Sequence, residues 1–244
     1  MRAVYISACA VVAAMALPLT IDAQGGAQPA GQAAAQADAS RKVAGGGVSV
    51  AGWTGKIDAS KENTGLTLND SKLAPEGAGM KVTTGPSVTY WNPANRATGD
   101  YTVKATFTEA NYMGLNTHAH PYGIMIAGND LGTPTASMLY CAAYGDGRFI
   151  VRGFGPEPFQ ANGRGAAAPS VNKAAGKGAS VTQEIAVSVK GDSVTCSVNG
   201  AVVGTYPKAE LVAAGKLKST DGVYGLRFGH NTEAVVTGLT ITKP

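Results

Sequence analysis

The sequence predicts an all-β protein, an antiparallel two-sheet sandwich, and three observations carry that expectation. The first is Glu184 to Tyr206, EIAVSVKGDSVTCSVNGAVVGTY, which reads as two hairpins in succession. The second is a series of short runs of alternating apolar and polar residues, separated by Gly, Asn and Asp turn signals, from about Val48 onward. The third is the scarcity of helical periodicity. Many strands with almost no helix mean a sandwich or barrel.

The chain begins with one Arg and an apolar run to Ile21, followed by the small-residue boundary Ile21-Asp22-Ala23. This is the anatomy of a secretory signal peptide, so residues 1–23 are read as a signal cleaved after Ala23. An uncleaved anchor helix is the alternative, since the run approaches the roughly 20 residues that span a bilayer. Residues 24–47 are rich in Ala, Gln and Gly and hold one large apolar residue, Val43. Such composition buries too little surface to order itself and reads as a low-complexity linker. The folded domain is expected over 48–244, ample for one core. The expected location is secreted or periplasmic, with no membrane association once the signal is removed.

The strands expected in order are Met80 to Thr83, Ser87 to Trp91, Tyr101 to Thr108, Gly123 to Ala127, Met138 to Tyr144 and Arg148 to Arg152. The double hairpin follows, then Val223 to Phe228 and Val235 to Thr242. Tyr101, Val103, Ala105 and Phe107 alternate with Thr102, Lys104 and Thr106, the period of a half-buried strand. Tyr144-Gly145-Asp146-Gly147-Arg148 reads as a hairpin that sets Tyr144 against Arg148, Ala142 against Ile150 and Tyr140 against Arg152. In the double hairpin, Asn199-Gly200 suits a type I′ turn and Gly191-Asp192 a type II′ turn. Val189 then faces Val194, Val187 faces Cys196 and Ile185 faces Val198. Across the second turn, Val198 faces Ala201, Cys196 faces Val203 and Val194 faces Thr205. A one-residue slip would reverse every side chain, so the shared apolar face is informative. A helix of about two turns is expected over Pro207 to Gly215. Phe154 to Ser180, rich in Gly and Pro, reads as a long loop. It is either a surface insertion or a rim that brings Arg164, Lys173 and Lys177 toward a ligand.

Twenty basic and sixteen acidic residues give a net charge of +4, and removing residues 1–23 takes away one of each sign. The charges are dispersed, without the dense basic stripe that nucleic-acid binding requires. Cys141 and Cys196 remain after signal removal. In an oxidising compartment they can form a disulfide; equally, Cys196 packs mid-strand as a small hydrophobe.

The order YTVKATFTEA, HPYGIMIAGND, DGRFIVR, the VxVxGxxVxCxVNG double hairpin and the closing GVYGLRFGHNTEAVVTGLTI resembles the concanavalin A-like lectin/glucanase jelly roll. More narrowly, it is similar to secreted bacterial domains of the laminin-G-like and 3-keto-disaccharide hydrolase type. The resemblance covers roughly Trp53 to Thr242, with Gly238 where the closing strand of those domains often has Asn. It implies a jelly-roll sandwich and a carbohydrate or cell-envelope glycan as partner.

Motifs narrow the chemistry. Retaining jelly-roll glucanases carry two carboxylates on one strand face about 5 Å apart; Glu109, Glu157, Glu184, Glu210 and Glu233 show no such spacing. The Tyr-x-Lys-x-Gly strand of alginate-type lyases is also missing, as are a Gly-x-Ser-x-Gly elbow and a phosphate-binding Gly loop. His118 and His120 point the same way in an extended segment. With Asp130 or His230 they make a possible metal cluster, and with Tyr122 a ligand-lining edge. Taking Leu139, Cys141 and Ala143 as inward places Tyr140 and Tyr144 outward beside Arg152 and Arg148, with Arg227 on an outward face of its own strand. Aromatic faces stack on sugar C–H groups and Arg supplies forked donors. Ordinary cross-strand pairing explains the same residues without a ligand.

The expectation is therefore non-catalytic carbohydrate binding at an outer sheet face, through Tyr140, Tyr144, Arg148, Arg152, His118, His120, Tyr122 and Arg227. No catalytic residue, metal ligand or cofactor is assigned. The alternatives are a glycan-processing hydrolase of the 3-keto-disaccharide type, with His118, His120 and Asp130 or Asp146 converging, and a structural or adhesion module of the envelope. Trp91 either packs over an end of the sandwich or lies exposed.

Overall fold

A computed structural model describes residues 39–244. The expected signal peptide, and the linker as far as residue 38, lie outside the described residues. Among those described, the strands form two sheets packed face to face. Sheet A runs in the order β1 (Gly47–Val48), β3 (Lys72–Glu76), β4 (Gly79–Thr83), β16 (Glu233–Thr242), β6 (Tyr101–Glu109), β12 (Val181–Lys190), β13 (Ser193–Val198) and β14 (Ala201–Pro207). Sheet B runs β10 (Pro158–Gln160), β9 (Arg148–Phe154), β8 (Ser137–Ala143), β7 (Tyr122–Asn129), β15 (Gly222–Phe228), β5 (Val88–Ala97) and β2 (Thr54–Ile57), with β11 (Ala166–Ala167) also on β9. Pairing is antiparallel except between β1 and β3. No helix among the described residues is long and apolar enough to cross a membrane.

The hairpin registers follow from turn chemistry. Asn199 and Gly200 both take positive φ, 50° and 81°, as a type I′ turn demands, and Gly191 takes 54°. β12 and β13 pair as the apolar pattern requires, with Val187 on Cys196 and Ile185 on Val198. The second hairpin departs from expectation after its first pairs. Cys196 opposes Gly204 rather than Val203, and Val194 opposes Tyr206 rather than Thr205. The cause is a β-bulge: Val203 is an extra residue on the outermost strand, where bulges are common. Tyr206 thereby turns toward the core.

The inner faces of both sheets make one core, in which Tyr90, Phe107, Ile124, Leu139, Ile185 and Leu226 are fully buried. Cys141 of β8 and Cys196 of β13 are joined by a disulfide across that core, with Cα atoms 6.0 Å apart. The bond staples sheet A, one strand in from its β14 edge, to β8 of sheet B.

Other segments are tighter than composition suggested. Residues 39–47, read as the end of the linker, are held to the domain. The amide of Asn231 donates to Ala39 O (3.0 Å), its Oδ1 accepts from Arg41 N (3.1 Å), and Gly47 N donates to Ser71 O (2.7 Å). Only a glycine fits at position 85, where a Cβ would sit 1.8 Å from Arg41 O. Backbone hydrogen bonding to neighbours orders this stretch although Val43 is its one large apolar residue. Likewise the 154–180 segment is pinned: β10 and β11 pair with β9, and Asn172 exchanges two hydrogen bonds with the buried Gln183 (3.0 and 2.8 Å). The expected two-turn helix is a single turn, Lys208–Leu211, ended at Val212, where ψ is 79°.

Candidate functional site

The central strands of sheet B, β7, β8 and β15, are buried on both faces. Along β8, Leu139, Cys141 and Ala143 enter the inter-sheet core, while Met138, Tyr140 and Ala142, with Tyr144 just beyond, join a second apolar cluster outside. Ile150 of β9, Met125 of β7, Trp91 of β5, Val223 of β15, Val181 of β12, and Tyr112 and Ala119 of the 110–121 loop complete its buried set. Period 2 made this partition legible; the burial of the outward set is a tertiary effect, because loops fold back over the sheet.

Two cavities open on this face. The first, of ≈ 440 Å³, has an apolar wall that includes Trp91, Leu131, Met138 and Phe154. The second, of ≈ 330 Å³, is polar, with His118, His120, Tyr140, Tyr144 and Arg148 among its lining residues. Asp58, Arg152 and Arg227 line both, so the cavities are two halves of one groove.

Antiparallel register delivers the arginines. Tyr140 opposes Arg152 across β8 and β9, and Tyr144 N donates to Arg148 O at the hairpin end (2.8 Å). Arg148 lies over the Tyr144 ring at 4.5 Å, and its Nε and Nη2 both donate to Asp146 Oδ2 (2.8 and 2.6 Å). Arg227 on β15 is only 6 % exposed. It is paired with both oxygens of Asp58, donates to Thr89 Oγ1 (3.3 Å), and lies 5.3 Å from the Tyr140 ring centre and 5.2 Å from that of Phe154. Burial alone would lower its proton affinity; the Asp58 carboxylate more than restores it and holds the pKa above the ordinary value. Arg152 differs from both. It is half-buried between the cavities, and among the described residues its guanidinium makes no hydrogen bond or ion pair.

The groove thus gathers Tyr140, Tyr144, Arg148, Arg152, His118, His120 and Arg227 from four separate stretches of the chain. Tyr122 does not join them. It is fully buried, packed on Phe107 (5.7 Å between ring centres) and Phe228 (6.2 Å) in the inter-sheet core. It shares the parity of Ile124 and Ile126, which point inward, and that alternation was readable in the sequence. The tyrosine platform also needs correction. Tyr140 is 3 % and Tyr144 9 % exposed, and their faces are occupied by Phe154 and Arg227 and by Arg148. They form the floor of the groove and offer no open stacking surface.

His118, His120 and His230 are all the histidines of the chain, and they lie together: ring centres are 4.4 Å apart for His118 and His120 and 4.0 Å for His120 and His230. Among the described residues no three His, Cys, Asp or Glu side chains are arranged to hold a metal ion. Asp130 does not approach the histidines. It lies beyond the far end of β7, about 23 Å of extended strand away, and pairs with Lys218. Asp146 is engaged by Arg148. Two aromatic residues and one carboxylate of the groove were not assigned to it from the sequence. Asp58 and Phe154 carried no pattern of their own, and Trp91 was left undecided; it lines the apolar cavity at 7 % exposure. Arg164 and Lys177 line neither cavity, and Lys173 lies at a separate depression beside Gly147 and Pro169.

No protein-family model and no curated protein sequence matches the chain. Solved structures do. A Bacillus subtilis protein of unknown function with a galectin-like fold is 11 % identical and superposes with a TM-score of 0.52, over 78 % of this chain and 89 % of that one. A carbohydrate-binding module, CBM66, from Bacillus subtilis (11 % identity, TM-score 0.48, 81 % and 99 %) and an endo-β-1,3-glucanase from Pyrococcus furiosus (11 %, 0.49, 78 % and 88 %) are also similar. At such identity the likeness concerns architecture. The fold is the antiparallel two-sheet β-sandwich expected from the sequence, and its likeness is to a galectin-like fold.

Proposed function

We propose that this protein is a carbohydrate-recognition module that holds a saccharide in the groove on the outer face of sheet B. The observation that carries this reading is the meeting of an apolar wall with convergent donors at Arg152. A sugar ring has the same duality: C–H faces that pack on Trp91 or Phe154, and hydroxyls that accept from guanidinium and imidazole N–H groups. The galectin-like fold supports the scaffold only, since fold does not determine function.

Binding is favoured over glycoside hydrolysis by the carboxylate inventory. Glycosidases of the common kinds need two carboxyl groups about the scissile bond. Among the described residues that line the groove, Asp58 is the one carboxylate, and Arg227 occupies both of its oxygens. Export to the periplasm or beyond, read from residues 1–23, belongs to the same proposal.

The test is a glycan array probed with the wild-type chain and with Phe154→Ala and Arg152→Ala. Saccharides bound by the wild type and weakened at least tenfold in both variants are the expected result. Binding that survives both substitutions unchanged places recognition elsewhere, and a wild type that binds no glycan overturns the reading.

A further inference from the structure

We infer that the saccharide held in this groove is an acidic one, with a sugar carboxylate received by Arg152. This rests on the carbohydrate reading above and adds the chemical class of the ligand.

Three guanidinium groups face the groove, and two of them are already matched. Arg227 has Asp58, and Arg148 has Asp146. Arg152, which lines both cavities, has no such partner among the described residues. Lys56 adds a further cation on the apolar side, where its ammonium donates to the Thr133 carbonyl (3.5 Å) and pairs with no carboxylate among the described residues. The groove therefore presents excess positive charge between low-dielectric walls, an arrangement that focuses the field and concentrates anions.

The type of cation selects the anion. A guanidinium offers parallel N–H donors in a planar fork that fits a carboxylate with two bonds at once. Its neighbours restrict it further. Arg152 rises from the strand between Ile150 and Phe154 on the same face, opposite Tyr140, so its stem is flanked by apolar surface. A carboxylate carried on a pyranose ring, as in a uronic acid, places its charge at the edge of a body whose C–H face packs on Phe154 or Trp91. A free inorganic anion would use the charge and leave the apolar wall unused.

The experiment is calorimetry with a panel of oligouronates: oligogalacturonate, oligomannuronate and hyaluronan fragments. Each is paired with its carboxyl-reduced, neutral counterpart, and a sulfated neutral oligosaccharide is included. Wild type, Arg152→Gln and Arg152→Lys are compared at low and high salt. At least one oligouronate is expected to bind wild type ten or more times more tightly than its reduced form. Arg152→Gln should erase that preference, Arg152→Lys should restore only part of it, and added salt should weaken the acidic ligand alone. Equal affinity for acidic and reduced forms overturns the inference while leaving carbohydrate binding intact. A sulfated ligand that binds as tightly as the uronates overturns the carboxylate assignment. A preference that persists in Arg152→Gln, with the fold checked by circular dichroism, overturns the residue assignment. Failure of every saccharide, neutral or acidic, sinks the carbohydrate reading itself.

Discussion

Asp58 clasps Arg227 from a different strand edge, 169 residues away in sequence, with Nη1 2.6 Å from Oδ1 and Nη2 on Oδ2. The pair sits at the floor of the groove, where the guanidinium also touches two aromatic rings. Breaking a buried pair from one side leaves an uncompensated charge, at a cost of about 3–5 kcal/mol. Asp58→Ala should therefore destabilise the protein by about 3 kcal/mol, the lower end, because Asp58 is partly open to water. The double variant Asp58→Ala/Arg227→Met should recover much of the loss, since it removes both charges. Urea denaturation of the two variants checks this. A double variant no more stable than Asp58→Ala would show that the pair's charge is not what matters.

Tyr122 gives a prediction of opposite sign. Its hydroxyl is buried in the inter-sheet core with no hydrogen-bond partner among the described residues. Leaving such a group unsatisfied costs about 1–3 kcal/mol. Tyr122→Phe should keep the packing on Phe107 and Phe228 and raise stability by about 1 kcal/mol, with glycan affinity unchanged. Lower stability would show that the hydroxyl is satisfied, and altered binding would return Tyr122 to the site.

Glu109 sets a pH dependence. It is 7 % exposed; burial raises its pKa to about 7, and the hydrogen bond from Met113 N (3.3 Å) offsets only part of this. The unfolded chain releases this proton near 4.5, whereas the folded chain keeps it until about 7. The folded state thus binds more protons inside that window, so stability falls as pH rises from about 4.5 to 7, by roughly 3 kcal/mol in all. Below the window the penalty is absent, and above it the penalty is complete. Glu109→Gln should flatten that part of the stability–pH curve and be the more stable form at pH 8. An identical curve for the variant would contradict the assignment.

The disulfide between Cys141 and Cys196 closes a loop of 55 residues. In the chain-entropy account, such a crosslink stabilises by about 4 kcal/mol. Cys196→Ala should lose about that amount, and reduction of the wild type should lower its melting temperature toward that of the variant. Peptide mapping without reductant should recover the two cysteines in one crosslinked pair; recovery as separate thiols would refute it.

Much of the scaffold was legible because its signals are local. Asn199-Gly200 and Gly191-Asp192 dictate turns through φ alone, and turns plus period-2 alternation dictate register as far as Val198 on Ala201. The bulge at Val203 was not legible, since an extra residue on an edge strand leaves no trace in the apolar pattern. β2 and β3 were missed for a related reason. TGKI and KLAPE lack strong alternation, and they become strands by adding to existing edges. The groove divides the same way. Tyr140, Tyr144, Arg148, Arg152 and Arg227 were readable as outward-facing or paired across a hairpin, and His118 and His120 as side by side in an extended segment, whereas Asp58 and Phe154 enter through contacts between distant segments.

By itself the sequence determined the fold class, the principal hairpin registers and which side of β8 and β9 each Tyr and Arg would occupy. These depend on backbone stereochemistry and on a two-residue repeat, and both are written along the chain. Only the tertiary structure decided that loops bury the outer tyrosines, and that two of the three groove arginines are neutralised while Arg152 has no such partner among the described residues. Burial and charge balance depend on which distant segments meet, and no local pattern encodes that.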